Sequence, residues 1–265
     1  MSVVLLDDEI VHYEVLGRGR PVIFLHGWIG SWRYWISSMQ VASTSFRAYA
    51  LDLWGFGDTA HRPQQPDRYH IENQTNLINL FLNEMGIGKI ALVGHGWGAL
   101  IALKYAADNA QAVDRLMITN CPLEMQSIDK RLYTETPESL LAWLTSENPD
   151  MQSALADAPK TDPAAIQASQ NGVHPAELFN NVNRQHTPCL LISSDQDQLI
   201  EKPNLDKLSL LSDFGHHIQF ENTGYFPMLE TAANFNRLLT DFLALDSGLS
   251  IKELNLKEEW RRRVR

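Results

Sequence analysis

Short runs of apolar and β-branched residues recur along the chain and alternate with segments of helical periodicity. The apolar runs predict β-strands at residues 3–6, 10–15, 22–25, 46–53, 90–93, 115–119, 189–193 and 217–221. Between the runs, apolar residues recur every three or four positions, as in Leu77, Leu80, Phe81 and Met85, and this spacing predicts amphipathic helices. Strands that alternate with helices indicate an α/β protein with a mostly parallel, eight-stranded sheet covered on both faces.

Residues 122–184 break this alternation. Leu140, Leu141 and Leu144 have helical spacing, and several Pro, Asn and Asp residues punctuate the segment, but it contains no convincing strand pattern. We interpret the segment as a helical cap inserted after the sixth strand. The core would then comprise residues 1–121 and 185–245, followed by a C-terminal tail of residues 246–265.

Composition and charge limit the classes of partner. The chain has 265 residues, 44% of them hydrophobic, which is enough to bury one large core. Its 32 acidic and 22 basic residues give a formal net charge of -10, which disfavours binding to nucleic acid or to an acidic membrane. The N-terminus shows no targeting pattern and no run is apolar enough to span a bilayer, so we expect a cytoplasmic protein with reduced, buried cysteines. We expect neither a cofactor nor a bound metal.

The tail reverses the overall charge, because residues 257–265 are predominantly basic and contain Trp260. A solvated helix end is the simpler interpretation of this segment. The alternative is a segment that docks on a protein partner.

The segment Gly94-His95-Gly96-Trp97-Gly98 lies between a predicted strand and a predicted helix. It resembles the nucleophile elbow of α/β-hydrolases, where the central residue of G-x-Nuc-x-G carries the catalytic side chain. Histidine and tryptophan on either side of the central residue are similar to the epoxide hydrolase and haloalkane dehalogenase branch. Four more segments resemble motifs of the superfamily: Leu25-His26-Gly27-Trp28 (oxyanion loop), residues 52–58 (D-x-x-G-x-G-x-S), residues 194–197 (acid turn) and residues 224–230 (G-H-F-P-x-x-E). The resemblance covers residues 1–245 and implies the α/β-hydrolase fold.

The chain departs from the resembled pattern at two of three catalytic positions. Gly96 stands at the nucleophile position and has no side chain to attack a substrate. Tyr225 stands at the histidine position, and a phenol with a usual pKa near 10 is a poor general base at neutral pH. The acid, Asp197, remains. We therefore interpret the triad as degenerate.

Other residues are weak substitutes for the missing groups. Cys121 follows the sixth strand and could act as a nucleophile, although a packed small hydrophobe is the simpler interpretation. His26 and His95 flank the elbow, where such residues usually support the loop. His216 and His217 should lie near the opposite end of their strand from Tyr225.

The backbone donors of an oxyanion hole do not depend on the side chain at residue 96. We expect these donors to be the backbone N–H groups of Trp97 and Trp28, near the N-terminus of a helix, where they favour an anion or a carbonyl oxygen. Because Gly96 has no side chain, we also expect added volume in the cleft beside it. Asp197 would accept a hydrogen bond from the Tyr225 hydroxyl. Aromatic residues either line a ligand pocket or fill the former substrate space; they are Trp28, Trp54, Trp97, Tyr225 and Phe226.

Three functions follow from this reading. The first is a non-hydrolytic protein that binds a small molecule, with a carboxylate or carbonyl group, in the former active-site cleft. The second is an enzyme of another reaction type, such as a lyase, isomerase or cyclase, or a residual hydrolase. The third is a protein-interaction module that uses the basic tail.

Overall fold

The apolar runs of the chain assemble into one sheet. The computed structural model describes residues 2–62, 64–145, 149–203, 208, 215–245 and 250–254. Within them the sheet has eight strands in the order β1-β2-β4-β3-β5-β6-β7-β8; β1–β2 and β2–β4 are antiparallel and the other pairs are parallel. The strands are β1 Ser2–Leu6, β2 Glu9–Gly17, β3 Arg20–Leu25, β4 Phe46–Leu51, β5 Ile90–His95, β6 Val113–Thr119, β7 Cys189–Ser194 and β8 Gly215–Phe220. All eight predicted strands are confirmed.

Helices cover the sheet where the sequence has helical periodicity. In α2, Leu77, Ile78 and Phe81 are buried, and the helix ends at Gly86, whose φ of 64° suits a residue without a Cβ. The described helices are α1 Ile36–Ala42, α2 Ile71–Met85, α3 Trp97–Asp108, α4 Arg131–Thr134, α5 Pro137–Leu144, α6 Pro163–Ala168, α7 Pro175–Arg184, α8 Pro227–Glu230 and α9 Ala232–Ala244. Short 3₁₀ turns lie at Trp32–Trp35, Pro66–Tyr69, Ala110–Ala112, Met125–Ser127, Pro149–Ser153, Ala158–Lys160 and Ile251–Glu253.

The core is deepest at the centre of the sheet. Every residue of β5 is buried, and so are nine of the twelve residues of α3, which follows it. A parallel strand covered by helices on both faces has no solvent-facing side, which explains the continuous apolar run before the elbow.

The described part of residues 122–184, which we name the helical insert, contains α4 to α7 and no named strand. Asp162 of the insert caps α6 and its N–H donates to the Gly55 carbonyl over 2.8 Å. This hydrogen bond ties the insert to the loop after β4, while its status as a separate cap stays a prediction. The basic tail, residues 257–265, lies outside the described residues. In the part of the chain that is described, no helix has both the length and the apolarity to cross a membrane.

Candidate functional site

The turn between β5 and α3 has the strand, elbow and helix order that the sequence predicts. β5 ends at His95 and α3 begins at Trp97. Gly96 between them has φ 50° and ψ -112°, a conformation that residues with a Cβ disfavour. A Cβ on Gly98 would lie 2.4 Å from the Leu25 carbonyl oxygen, so this position also needs glycine. The elbow therefore brings the helix very close to β3.

The Tyr225 side chain occupies the space beside Gly96. A Cβ placed on Gly96 would lie 2.3 Å from the Tyr225 hydroxyl oxygen and 3.2 Å from the Trp28 ring. A Cβ on Gly27, in the predicted oxyanion loop, would lie 2.7 Å from the same hydroxyl oxygen. Our expectation of added volume beside Gly96 is wrong, because the long phenol reaches across the corner and fills it.

His95 is held by a chain of hydrogen bonds behind the elbow. Its Nδ1 lies 2.9 Å from the Tyr34 hydroxyl, and its Nε2 lies 2.7 Å from the Tyr225 carbonyl oxygen. Because a carbonyl oxygen only accepts, Nε2 carries the proton and Nδ1 accepts from Tyr34, whose oxygen in turn accepts from the Gly27 N–H. Burial lowers the pKa of His95 to about 3. The neutral ring therefore positions the loop, and no motif in the sequence pointed to Tyr34 as its partner.

His26 also has structural partners on both ring nitrogens. The Leu53 N–H donates to Nε2 over 3.1 Å, and Nδ1 lies 2.8 Å from the Gly27 carbonyl oxygen. Burial lowers the pKa of His26, which keeps the ring neutral. These bonds agree with a supporting role for the histidine in the loop after β3.

Asp197 follows β7, and one of its carboxylate oxygens is unpaired. Oδ1 accepts hydrogen bonds from the N–H groups of Leu199 and Ile200 over 2.8 and 3.0 Å. Oδ2 and the Tyr225 hydroxyl are both buried without a hydrogen-bond partner among the described residues. The expected bond between them is therefore wrong, because the tyrosine hydroxyl is directed toward the elbow. Burial raises the pKa of Asp197 to about 7, and the Glu230 carboxylate contributes to the increase.

The turn after β8 fixes the backbone on both sides of Tyr225. The Glu230 carboxylate accepts from the Gly224 N–H over 2.6 Å and from the Phe226 N–H over 2.8 Å. Asn120 donates to the Tyr225 carbonyl oxygen over 3.1 Å, a contact that the sequence did not predict. Burial raises the pKa of the Tyr225 hydroxyl well above its usual value; the Trp28 backbone N–H acts in the opposite direction, but its geometry does not make a hydrogen bond. The hydroxyl is therefore a neutral phenol and a poor base.

The aromatic residues around the elbow pack against one another. The Trp28 and Trp97 rings stack with their centroids 6.0 Å apart, and Trp28 Nε1 donates to Ser169 of the helical insert over 2.9 Å. This packing favours the interpretation in which the rings fill the space beside the elbow over the one in which they line an open pocket. Each of the five predicted aromatic residues is at most 2% exposed; they are Trp28, Trp54, Trp97, Tyr225 and Phe226.

Cys121 is buried beside a small cavity. Burial raises the pKa of its thiol well above the usual value, which disfavours the thiolate that a nucleophile needs. The cavity, about 10 Å³, is also lined by Asn120 and Asp197. This volume is close to that of one water molecule and far below that of a substrate.

Three other side chains could hold a metal ion, because ligand atoms of His12, Asp52 and Asp58 lie within 4.8 Å of one another. They already have protein partners: His12 Nδ1 lies 2.8 Å from Asp52 Oδ2, and Lys160 Nζ lies 2.7 Å from Asp58 Oδ1. Burial lowers the pKa of His12, but the Asp52 carboxylate outweighs it and the net shift is upward. The cluster thus links the core to the helical insert by paired charges.

Comparison with known proteins agrees with the fold and the elbow. A family profile described as the alpha/beta hydrolase fold matches residues 20–141, from β3 through the elbow into the helical insert. With the strand order and the Gly94–Gly98 turn, this match identifies the class. The chain has the α/β-hydrolase fold, and part of its sequence is similar to epoxide hydrolases.

Individual relatives match either part of this chain or most of its length. A soluble epoxide hydrolase from Corynebacterium sp. is 32% identical over 114 residues, which are 43% of this chain and 39% of that protein. A putative carbamate hydrolase from Yersinia enterocolitica is 23% identical over 94% of this chain and 97% of its own. Among solved structures, a meta-cleavage product hydrolase from Pseudomonas fluorescens has a TM-score of 0.77 at 19% identity and covers 92% of this chain and 97% of its own. The match to the epoxide hydrolase thus spans well under half of that protein.

Proposed function

We propose that this protein is a non-hydrolytic member of the superfamily that binds a small molecule between its core and its helical insert. The observation that carries the proposal is the Tyr225 hydroxyl, 2.3 Å from where a Cβ on Gly96 would stand. Covalent attack needs a side chain at residue 96, and proton transfer needs a base in reach of it. Glycine supplies no nucleophile and a buried phenol is a poor base, so only Asp197 remains of the triad.

Unpaired polar atoms around the same corner support ligand binding. Asp197 Oδ2, the Tyr225 hydroxyl and Trp97 Nε1 are buried and lack hydrogen-bond partners among the described residues. Buried polar groups are normally paired, and each unsatisfied one costs about 1–3 kcal/mol. A carbonyl or carboxylate ligand could accept from the phenol and the indole. It would need the Tyr225 ring to turn aside, which would open the space beside Gly96.

Hydrolysis assays of the full chain test the non-hydrolytic part. We expect 4-nitrophenyl acetate, styrene oxide and 1-chlorobutane to be turned over no faster by the protein than by its Asp197→Ala variant. Rapid turnover, normalised to protein and lost in Asp197→Ala, would contradict the proposal.

A double replacement tests whether the scaffold keeps its geometry. Histidine at residue 225 removes the hydroxyl that obstructs residue 96, so Gly96→Asp combined with Tyr225→His restores a nucleophile and a base together. We expect weak epoxide or ester hydrolysis from the double variant and none from Gly96→Asp alone. A folded but fully inactive double variant would indicate that the cleft has been remodelled.

The state of Asp197 favours a second candidate, an enzyme that works by proton transfer without covalent attack. A carboxyl group with a pKa of about 7 and one unpaired oxygen can donate or accept a proton at neutral pH. In a metabolite extract, this candidate predicts a product that disappears with Asp197→Asn and decreases with Tyr225→Phe. Equal product formation by all three proteins would count against it.

A further inference from the structure

Arg68 lies at the seam between the core and the helical insert, with part of its guanidinium unpaired. Its Nε and Nη2 atoms are buried and have no hydrogen-bond partner among the described residues. The guanidinium carbon lies 4.2 Å from the centroid of the Trp54 ring, so the cation rests on the indole. Arg68 as a whole is only partly buried, but N–H groups that are shielded from water and have no acceptor are unfavourable, because they lose hydration and gain no bond in return.

The residues that hold Arg68 are themselves fixed. Arg68 belongs to the 3₁₀ turn Pro66–Tyr69, and the Tyr69 hydroxyl donates to Asp162 of the helical insert over 2.8 Å. Gln74 bonds both the N–H and the carbonyl oxygen of Trp54, over 3.0 and 2.9 Å. The unpaired N–H groups are therefore preorganised for an acceptor.

Two carboxylates close to Arg68 in the chain or at the seam do not supply that acceptor. The Asp67 side chain is 92% exposed. Asp162 uses one oxygen for the Tyr69 hydroxyl and the other for the Ala164 N–H, over 2.8 and 2.9 Å. The acceptor would therefore come from outside the chain, and it would reach the shielded N–H groups only when neighbouring side chains move aside.

We propose that Arg68 and Trp54 form a binding position for the carboxylate of a small organic acid. The inference rests on the proposed function, because it assigns the charged end of the ligand. Nε and Nη2 lie along one edge of the guanidinium, and their N–H bonds match the two oxygens of a carboxylate.

Calorimetric titration of the full chain with acetate, hexanoate and phenylacetate tests the inference. Phenylacetamide is the neutral counterpart of phenylacetate, and inorganic phosphate is the competing anion. Arg62→Gln is the matched control for Arg68→Met, since both remove one positive charge and the Arg62 guanidinium is already paired with Glu9. We expect at least one acid to bind, and Arg68→Met to weaken it by about tenfold or more while Arg62→Gln has little effect.

A second readout is thermal unfolding with and without added acid. The acid should raise the Tm of the wild type, and Arg68→Met should abolish that rise, because the variant lacks the N–H groups that hold the carboxylate. Three results would overturn the inference: none of the three acids binds, phenylacetamide or phosphate binds as well as the acids do, or Arg68→Met binds the acid with unchanged affinity. Those results leave the non-hydrolytic proposal standing, whereas Asp197-dependent turnover would overturn that proposal and not the carboxylate position.

Discussion

The two sides of the corner around Gly96 differ in how their polar groups are satisfied. On the elbow side, both ring nitrogens of His95 are bonded, and Tyr34 joins the ring to the Gly27 N–H. On the acid side, Asp197 Oδ2 and the Tyr225 hydroxyl are buried without partners among the described residues. The elbow side positions backbone groups that folding itself must satisfy. On the acid side the backbone N–H groups of Leu199 and Ile200 are also bonded, and only side-chain atoms of Asp197 and Tyr225 stay unpaired.

The largest expected effect comes from adding one methyl group at the centre of the corner. Gly96→Ala places a Cβ 2.3 Å from the Tyr225 hydroxyl oxygen at a residue with φ 50°. Overpacking and backbone strain each cost about 1–3 kcal/mol, so we expect a loss of roughly 2–6 kcal/mol in the free energy of unfolding. Urea denaturation measures it.

The matched double variant separates the two causes. Gly96→Ala with Tyr225→Phe removes the hydroxyl that the new methyl group meets, so the overpacking part of the loss should be recovered and the backbone strain should remain. Additive effects of the two substitutions would contradict the contact between residues 96 and 225.

The unpaired carboxylate should make stability depend on pH. The pKa of Asp197 is about 7 in the folded protein against a usual 3.8, so the folded state binds its proton more tightly. The contribution of protonated Asp197 to the free energy of unfolding is fully present below pH 3.8 and is lost as the pH rises through 7. Between pH 5 and pH 8 the loss should be about 2–3 kcal/mol.

Asp197→Asn cannot titrate, so urea denaturation at the two pH values should show that this part of the dependence is gone. Asp67→Asn is the control, because that side chain is 92% exposed and removes the same charge. A wild-type protein that gains stability over this pH range relative to Asp197→Asn would show that the sign is wrong.

Removal of a tyrosine hydroxyl should destabilise the elbow side of the corner more than the acid side. On the elbow side, Tyr34→Phe removes a hydroxyl that serves the Gly27 N–H and His95 Nδ1. Leaving such buried groups unpaired costs about 1–3 kcal/mol, measured as a lower free energy of unfolding. A neutral outcome would mean that the chain of hydrogen bonds does not support the loop.

The smallest effect is expected on the acid side. Tyr225→Phe removes a buried hydroxyl that has no hydrogen-bond partner among the described residues, so stability should stay within about 1 kcal/mol of the wild type or rise. A clear loss, as large as that of Tyr34→Phe measured in parallel, would show that the Tyr225 hydroxyl has a partner in solution and would remove the contrast between the two sides.

Much of the fold could be predicted because its signals are local. Alternating apolar runs and helical spacing predicted all eight strands and the helices α2, α3 and α5. Individual ends differ, since the run at residues 46–53 ends as a strand at Leu51 and the run at residues 217–221 begins at Gly215. Strand ends depend on pairing with neighbours, which periodicity does not record.

The sequence by itself determined that residue 96 has no side chain and that residue 225 is a tyrosine, which carries a phenol and not an imidazole group. It also placed the elbow, since glycines around a strand-to-helix turn are a local requirement. Only the tertiary structure decided what fills the corner: the phenol of Tyr225 crosses to Gly96, and Tyr34 completes the bonds of His95. The physical reason is that volume is shared by side chains from distant segments. A sequence shows which groups are missing, whereas packing decides which groups occupy their place.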